Sequence, residues 1–214
     1  MRTRAPTHRA ESSRTKFVPG AISILVAVAL LIVTGLHVDG NYASEAEVAV
    51  FRIFNGLPSL IYWPAWLIMQ LGNLIAVPAV AIVALLFRRY RLVIASVIVG
   101  VGKWYSSRLL KDVFLRERPA SVISDVVLRD APAAGQAFVS GHAVIAVGLA
   151  VVVHPHVGLK WRIAVWTAAA LVCIARVYVG AHLPLDVVGG AAAGWAIGTV
   201  ANLVTGLFTR KLKP

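Results

Sequence analysis

The stretch Ala175-Arg-Val-Tyr-Val-Gly-Ala-His-Leu-Pro-Leu-Asp186 sets an arginine, a histidine and an aspartate between two long apolar runs. Charge beside a bilayer is costly and needs a partner, so three such groups this close mark either a structural ion pair or a site of chemistry. His182 and Asp186 are four residues apart, and a helix beginning near Pro184 brings them to one face. A carboxylate on one ring nitrogen fixes the tautomer and leaves the other nitrogen free as base or nucleophile. The same residues also suit an Arg176–Asp186 ion pair with His182 beside it, and the stretch alone does not separate the two readings.

The flanking runs decide the class. Hydrophobic residues make up 59% of the 214 and charged residues 14%, against about 25% charged in ordinary soluble domains. With a mean hydropathy of +0.80, this is an integral membrane protein with room for one helical bundle. The formal charge of +12 does not indicate nucleic acid, because the basic residues are dispersed at the ends of apolar runs and form no single soluble face. Cys173 is the only cysteine, so no intramolecular disulfide forms. Residues 1–16 carry Arg2, Arg4, Arg9, Arg14 and Lys16 against Glu11 alone, which reads as a disordered basic tail on the cytoplasmic side. That segment is too polar for a secretory signal, and the apolar run after it lacks a small-residue cleavage site, so the run is read as a retained anchor.

Six apolar spans follow within residues 17–209. The first runs from Phe17 to Leu36, long enough for a hydrocarbon core of about 30 Å. Residues 37–58 turn polar, and Val48, Phe51 and Phe54 fall near one face with Glu45, Glu47 and Arg52 offset, as in an amphipathic interfacial helix. The second span runs from Tyr62 to Phe87, with Gln70 and Asn73 inside it as interhelical hydrogen-bonding residues. The third runs from Leu92 to about Leu110, the fourth from Ala143 to about Val153 and the fifth from Ile163 to about Val179. The sixth starts after Asp186, contains Gly189, Gly190, Gly194 and Gly198, and ends before the basic residues 210–214. With the tail inside, the clusters Arg88–Arg91, Lys160–Arg162 and Arg210–Lys213 also fall inside.

The remaining polar groups then gather on the opposite side. Lys103, Ser107 and Lys111 recur every four residues along the third span, and snorkelling accounts for Lys103 and Arg108. Lys111 and Arg118 bracket a short helical end closed by Pro119, while Arg116 and Glu117 read as interfacial. A polar loop over 120–138 is long enough to cover a site. It leads into Ser140-Gly141-His142, where Ser140 suits an N-cap and the free N–H groups after it suit an anion. His154 and His156 invite a metal, but no carboxylate or cysteine lies near them and a solvated turn is the preferred reading.

Lys111-x6-Arg118-Pro119, then Ser140-Gly141-His142, then Arg176-x5-His182-x3-Asp186 resembles the tripartite signature of the type 2 phosphatidic acid phosphatase family, which is itself similar to the vanadium haloperoxidases. Each motif alone is weak, and three in order at helix ends are specific. The motif-bearing core covers about 92–203. Two positions depart from the family pattern: Val139 stands where proline usually precedes Ser-Gly-His, and Ala175 where serine usually precedes the arginine. Neither change removes a charged or nucleophilic group.

The resemblance implies an all-α bundle of six transmembrane helices and a metal-independent lipid phosphatase without a cofactor. Phosphoryl transfer needs its nonbridging oxygens clamped, an in-line nucleophile and a proton for the leaving oxygen. Lys111, Arg118 and Arg176 suit the clamp, with Ser140 and the Gly141 amide as further donors. By resemblance, His182 is the nucleophile that forms a phosphohistidine, Asp186 orients it, and His142 is the general acid. The implied setting is a bacterial-type plasma membrane with both termini cytoplasmic and the site facing outward. The implied substrate is a lipid phosphate: undecaprenyl or another polyprenyl diphosphate first, then phosphatidate or phosphatidylglycerophosphate. A lipid phosphotransferase and a non-catalytic binder of anionic lipid are the competing expectations.

Overall fold

The computed structural model describes residues 7–206. The basic end over 210–214 and the first six residues of the basic tail lie outside the described residues. The rest of that tail, 7–16, is the start of the first helix, α1 (Thr7–Val38), because the apolar run behind it propagates the helix toward the N-terminus. Among the described residues there is no β-strand, only an isolated bridge between Glu117 and Gln136.

Helix α2 (Glu45–Asn55) starts at Ser44, whose hydroxyl accepts the Glu47 N–H at 3.2 Å. It buries Glu47, Phe51 and Asn55, so Glu47 lies on the inward stripe with Phe51, four residues on, and not on the solvent side expected for it. The second span is broken. Helix α3 (Tyr62–Met69) and α4 (Ala76–Leu86) meet at 64° across a break. Gln70 and Asn73 lie in that break and bond locally, Gln70 to the Trp66 carbonyl and Asn73 to Gln70, and among the described residues they make no interhelical side-chain bond. Helix α5 (Tyr90–Val113) follows, then the single turn α6 (Pro119–Val122), α7 (Gly141–Val153), α8 (Leu159–Tyr178) and α9 (Pro184–Val204).

The six expected spans therefore correspond in order to α1, α3 with α4, α5, α7, α8 and α9, but they are not six equal crossings. Among the described residues three helices are long and apolar enough to cross a membrane, and a fourth if the bent pair counts as one span. Helix α5 is long but carries Lys103, Arg108, Lys111 and Asp112 in its second half. Helix α7 has only 13 residues, about 20 Å of rise, less than a full crossing.

Helix α7 is nevertheless the centre of the bundle. Every residue from Ala143 to Val152 is buried, and α5, α8 and α9 pack around it. The α9 glycines permit the closest of these contacts: a Cβ on Gly194 would meet the Val144 carbonyl oxygen, one on Gly190 would lie 2.5 Å from that of Ser140, and one on Gly198 2.8 Å from that of Gly148. Outward-facing side chains such as Leu25, Leu67, Leu86, Trp161 and Val204 are exposed and apolar, a surface that suits lipid and not water. This is a multi-pass membrane protein.

Candidate active site

The C-terminal ends of α5 and α8 and the N-terminal ends of α7 and α9 meet at one end of the bundle. Ser140 precedes α7 in extended conformation, and its backbone N–H donates to the Asp186 carbonyl at 3.0 Å, tying the start of α7 to the start of α9. Gly180, at φ 77, ends α8 in a conformation that favours glycine, and the chain turns through His182 into α9. Pro184 opens α9 and Asp186 lies in its first turn, accepting the Leu183 N–H at 2.9 Å. His182 thus stands just before the helix, and the turn brings it back to Asp186.

The His182 Nδ1 to Asp186 Oδ2 distance is 3.7 Å, beyond a hydrogen bond, as is common before a substrate tightens such a site. The other carboxylate oxygen faces Arg116, not Arg176: Asp186 Oδ1 lies 3.4 Å from Arg116 Nη1, while Arg116 Nη2 donates to Glu47 Oε2 at 2.8 Å. The second Glu47 oxygen accepts the Leu185 N–H at 2.9 Å. Arg116 is 0% exposed. It is no interfacial residue, but the buried link between α2 and the aspartate behind His182. The alternative Arg176–Asp186 pair does not form among the described residues.

Arg176 is left facing the site with its Nη1 against the Met69 sulfur at 3.5 Å. Arg118 is fixed by a 2.9 Å bond from Nη1 to the Ala181 carbonyl. The charges of Arg176, Arg118 and Lys111 all act on His182, those of Arg176 and Lys103 on His142, and those of Arg118, Lys103 and Asp186 on Lys111. Lys111, Arg118, Ser140, Gly141, His142, Arg176, His182 and Asp186 are brought to one place. Burial first, then the surrounding Arg176, Arg118 and Lys111 charges, push His182 well below the ordinary histidine range, with the Ala137 carbonyl opposing. Its ring is neutral at pH 7 and carries a lone pair.

The loop over 120–138 packs as a fixed wall. The Arg129 guanidinium donates to the carbonyls of Asn55, Leu57 and Tyr178, each at 2.8 Å, and lies 4.3 Å over the Tyr178 ring. Asn55 in turn bonds the Val127 backbone at both its carbonyl and its N–H. The exposed Arg52–Asp125 pair at 3.0 Å adds little. Val139 and Ala175, the two departures from the family pattern, are buried in apolar clusters, one with Phe138 and Val144, the other with Met69 and Tyr178.

At the far end of α7, His154 Nδ1 accepts from the Trp166 indole at 3.1 Å. Among the described residues no three His, Cys, Asp or Glu side chains converge as metal ligands. Snorkelling does not describe Lys103, which lies against Gly141: a Cβ there would meet its Cε at 2.8 Å. Arg108, by contrast, sits 5.7 Å over the Trp104 ring. Glu47, Arg116 and Lys103 are the residues that spacing missed. Glu47 left a trace, four positions before Phe51 on the apolar stripe of α2, and Lys103 another, on the four-residue stripe with Ser107 and Lys111; Arg116 left none.

A family model described as the PAP2 superfamily matches residues 89–210, which contain all three motifs. The chain belongs to the PAP2 superfamily. Among solved PAP2-type structures, LpxE of Aquifex aeolicus is similar with a TM-score of 0.66 at 26% identity, over 72% of this chain and 93% of that one. A transmembrane PAP2 type phosphatidylglycerolphosphate phosphatase from Bacillus subtilis superposes with a TM-score of 0.70 at 19% identity, over 85% and 95% of the two chains, a likeness of fold. Against proteins of curated function the sequence gives no match. The all-helical PAP2 fold makes this a membrane phosphatase scaffold with its three motifs at one end.

Proposed function

We propose that this protein is a metal-independent lipid phosphatase that works through a phosphohistidine at His182. The observation that carries the reading is a buried, neutral imidazole backed by Asp186 and ringed by Lys111, Arg118 and Arg176. That set of cations matches the oxygens of a phosphoryl group and supplies the charge that a metal supplies elsewhere.

In the first step a lone pair of His182 attacks phosphorus as the bond from phosphorus to the leaving oxygen breaks, and His142, protonated once the negative charge of the substrate offsets the Arg176 and Lys103 charges beside it, gives that oxygen its proton. The Asp186 carboxylate balances the positive imidazole that results. In the second step water attacks phosphorus, His142 takes a water proton, and the phosphorus–nitrogen bond breaks to release inorganic phosphate and neutral His182. Lys111, Arg118 and Arg176, with Ser140 and the Gly141 amide, hold the nonbridging oxygens throughout.

The site faces outward in a bacterial-type plasma membrane, since the Arg88–Arg91 and Lys160–Arg162 clusters occupy the other end of the bundle and mark the cytoplasmic side. A polyprenyl diphosphate is the leading substrate, ahead of phosphatidate and phosphatidylglycerophosphate, the last being the substrate named for the Bacillus subtilis relative.

The test is phosphate release by the purified full-length protein in detergent, with EDTA, from each of these lipids. Release is expected for the wild type, none for His182→Ala, and near-normal release for His154→Ala. Equal loss in both variants would undo the site, and phosphoryl transfer to an added alcohol without release would replace hydrolysis by transfer.

A further inference from the structure

Lys103 lies eight residues before Lys111 on α5, about 12 Å further from the site end of that helix. Its ammonium nitrogen would be 3.5 Å, and the Ser107 hydroxyl 3.7 Å, from a Cβ placed on Gly141. Both groups therefore sit at the first turn of α7. An ammonium at a helix N-terminus is electrostatically unfavourable, because that end already carries a partial positive charge. Nothing relieves it here: Lys103 pairs with no carboxylate among the described residues, and Ser140 makes no side-chain cap to the first turn. Ser140 and Ser107 are 0% and 9% exposed, and their buried hydroxyls have no hydrogen-bond partner among the described residues, which is costly for buried polar groups. An ammonium, two unmatched hydroxyls and a bare helix start are together complementary to an anion.

This anion station continues the clamp: it shares Ser140 and the first turn of α7 with it and adds Lys103 and Ser107 beside Gly141. The Lys103 charge acts on His142 and Lys111, while the charges acting on His182 are those of Arg176, Arg118 and Lys111. His142 gives its proton to the leaving oxygen, and Lys103 packs against its chain neighbour Gly141, which puts Lys103 on the leaving-group side. When a phosphomonoester is cleaved, the leaving group is an alcohol and has no use for a second cation. When a lipid diphosphate is cleaved, the leaving group is a lipid monophosphate, which bears charge where Lys103 stands.

Resting on the phosphatase reading, we propose that Lys103, with the Ser107 hydroxyl, binds the phosphate that stays on the lipid and so selects lipid diphosphates over lipid monophosphates. The bond broken is the one from the terminal phosphorus to the bridging oxygen. That oxygen leaves with the lipid monophosphate, its charge held by Lys103 or quenched by the His142 proton.

The experiment compares farnesyl diphosphate with farnesyl monophosphate, two substrates with one tail, on the full-length wild type, Lys103→Met and Ser107→Ala in detergent. Lys103→Met is expected to lower kcat/KM for the diphosphate about 10- to 100-fold, as for loss of a charge-assisted contact, and to leave the monophosphate within about threefold. Ser107→Ala is expected to shift selectivity the same way by a smaller factor. Equal losses on both substrates, or no loss on either, would overturn the proposal. Binding of inorganic diphosphate and orthophosphate by calorimetry separates the two claims. If the wild type releases no phosphate but Lys103→Met still weakens diphosphate binding about tenfold and spares orthophosphate, the phosphatase reading falls and the subsite stands. If the variant binds both anions as the wild type does, the subsite falls whatever the turnover.

Discussion

At the scale of single residues, the buried charges impose the sharpest constraints. Arg116 holds Glu47 and Asp186 at once, and none of the three is solvated. Removing the shared cation leaves two buried carboxylates unpaired, so Arg116→Met is expected to destabilise by about 3–5 kcal/mol. Glu47→Gln keeps an oxygen for the Leu185 N–H and should cost clearly less. Thermal midpoints in detergent check the order, and a variant without Arg116 that melts like the wild type would sever the proposed link from α2 to Asp186. His182 predicts a pH effect of known sign. Its folded-state affinity for protons is depressed, so as pH falls through about 6.5 the unfolded chain binds the proton first. The stability that neutral His182 contributes is present above that value and is lost below it. His182→Asn should therefore lose less stability than the wild type between pH 7 and pH 5, measured by denaturation midpoints at the two pH values.

At the scale of elements, the α7–α9 contact transmits structure to the site. A methyl on Gly190 meets the Ser140 carbonyl at 2.5 Å, and that carbonyl belongs to the residue whose N–H holds the Asp186 carbonyl. Gly190→Ala is expected to cost about 1–3 kcal/mol by overpacking and to cut phosphate release as well, because the two helix starts must part. Gly158→Ala, with open space around it, should cost no more than about 1 kcal/mol as an N-cap change and leave release intact. Detergent melting curves and release rates for the two variants distinguish a specific contact from a general intolerance of added methyls. Element boundaries were legible where sequence punctuates strongly, as at Ser140 and Pro184. The break between α3 and α4 was not. Gln70 and Asn73 sit in an apolar run that reads as continuous, and their polarity marked the right place while suggesting the wrong role: they satisfy a local bend instead of a neighbouring helix.

At the scale of the whole molecule, the fold was readable because apolar runs and basic clusters alternate in a way only a bilayer explains. The grouping of Lys111, His142, Arg176 and His182 was readable because each lies at the end of such a run, on the same side of the count. Glu47 and Arg116 escaped because their partners are set by how α2 and α9 pack, and no spacing along the chain encodes a contact between residues 47, 116 and 186; the stripe of Lys103, Ser107 and Lys111 was visible, but the approach of Lys103 to Gly141 is set by how α5 and α7 pack. The same count predicts a topology that can be tested directly. Arg118 and His182 lie at one end of the bundle, while Arg89, which donates to the His156 carbonyl, joins the loops of the other. If the basic clusters are cytoplasmic, a cysteine placed beside the site is reached from outside an intact cell and one placed among the clusters is not. Cys173 is the only native cysteine, so Cys173→Ser gives a clean background, and Ser121 and Gly158 are both exposed. A membrane-impermeant maleimide should label Ser121→Cys in intact cells and Gly158→Cys only after permeabilisation. The reverse pattern would turn the site to the cytoplasm and restrict its substrates to lipid phosphates of the inner leaflet, whatever the chemistry at His182.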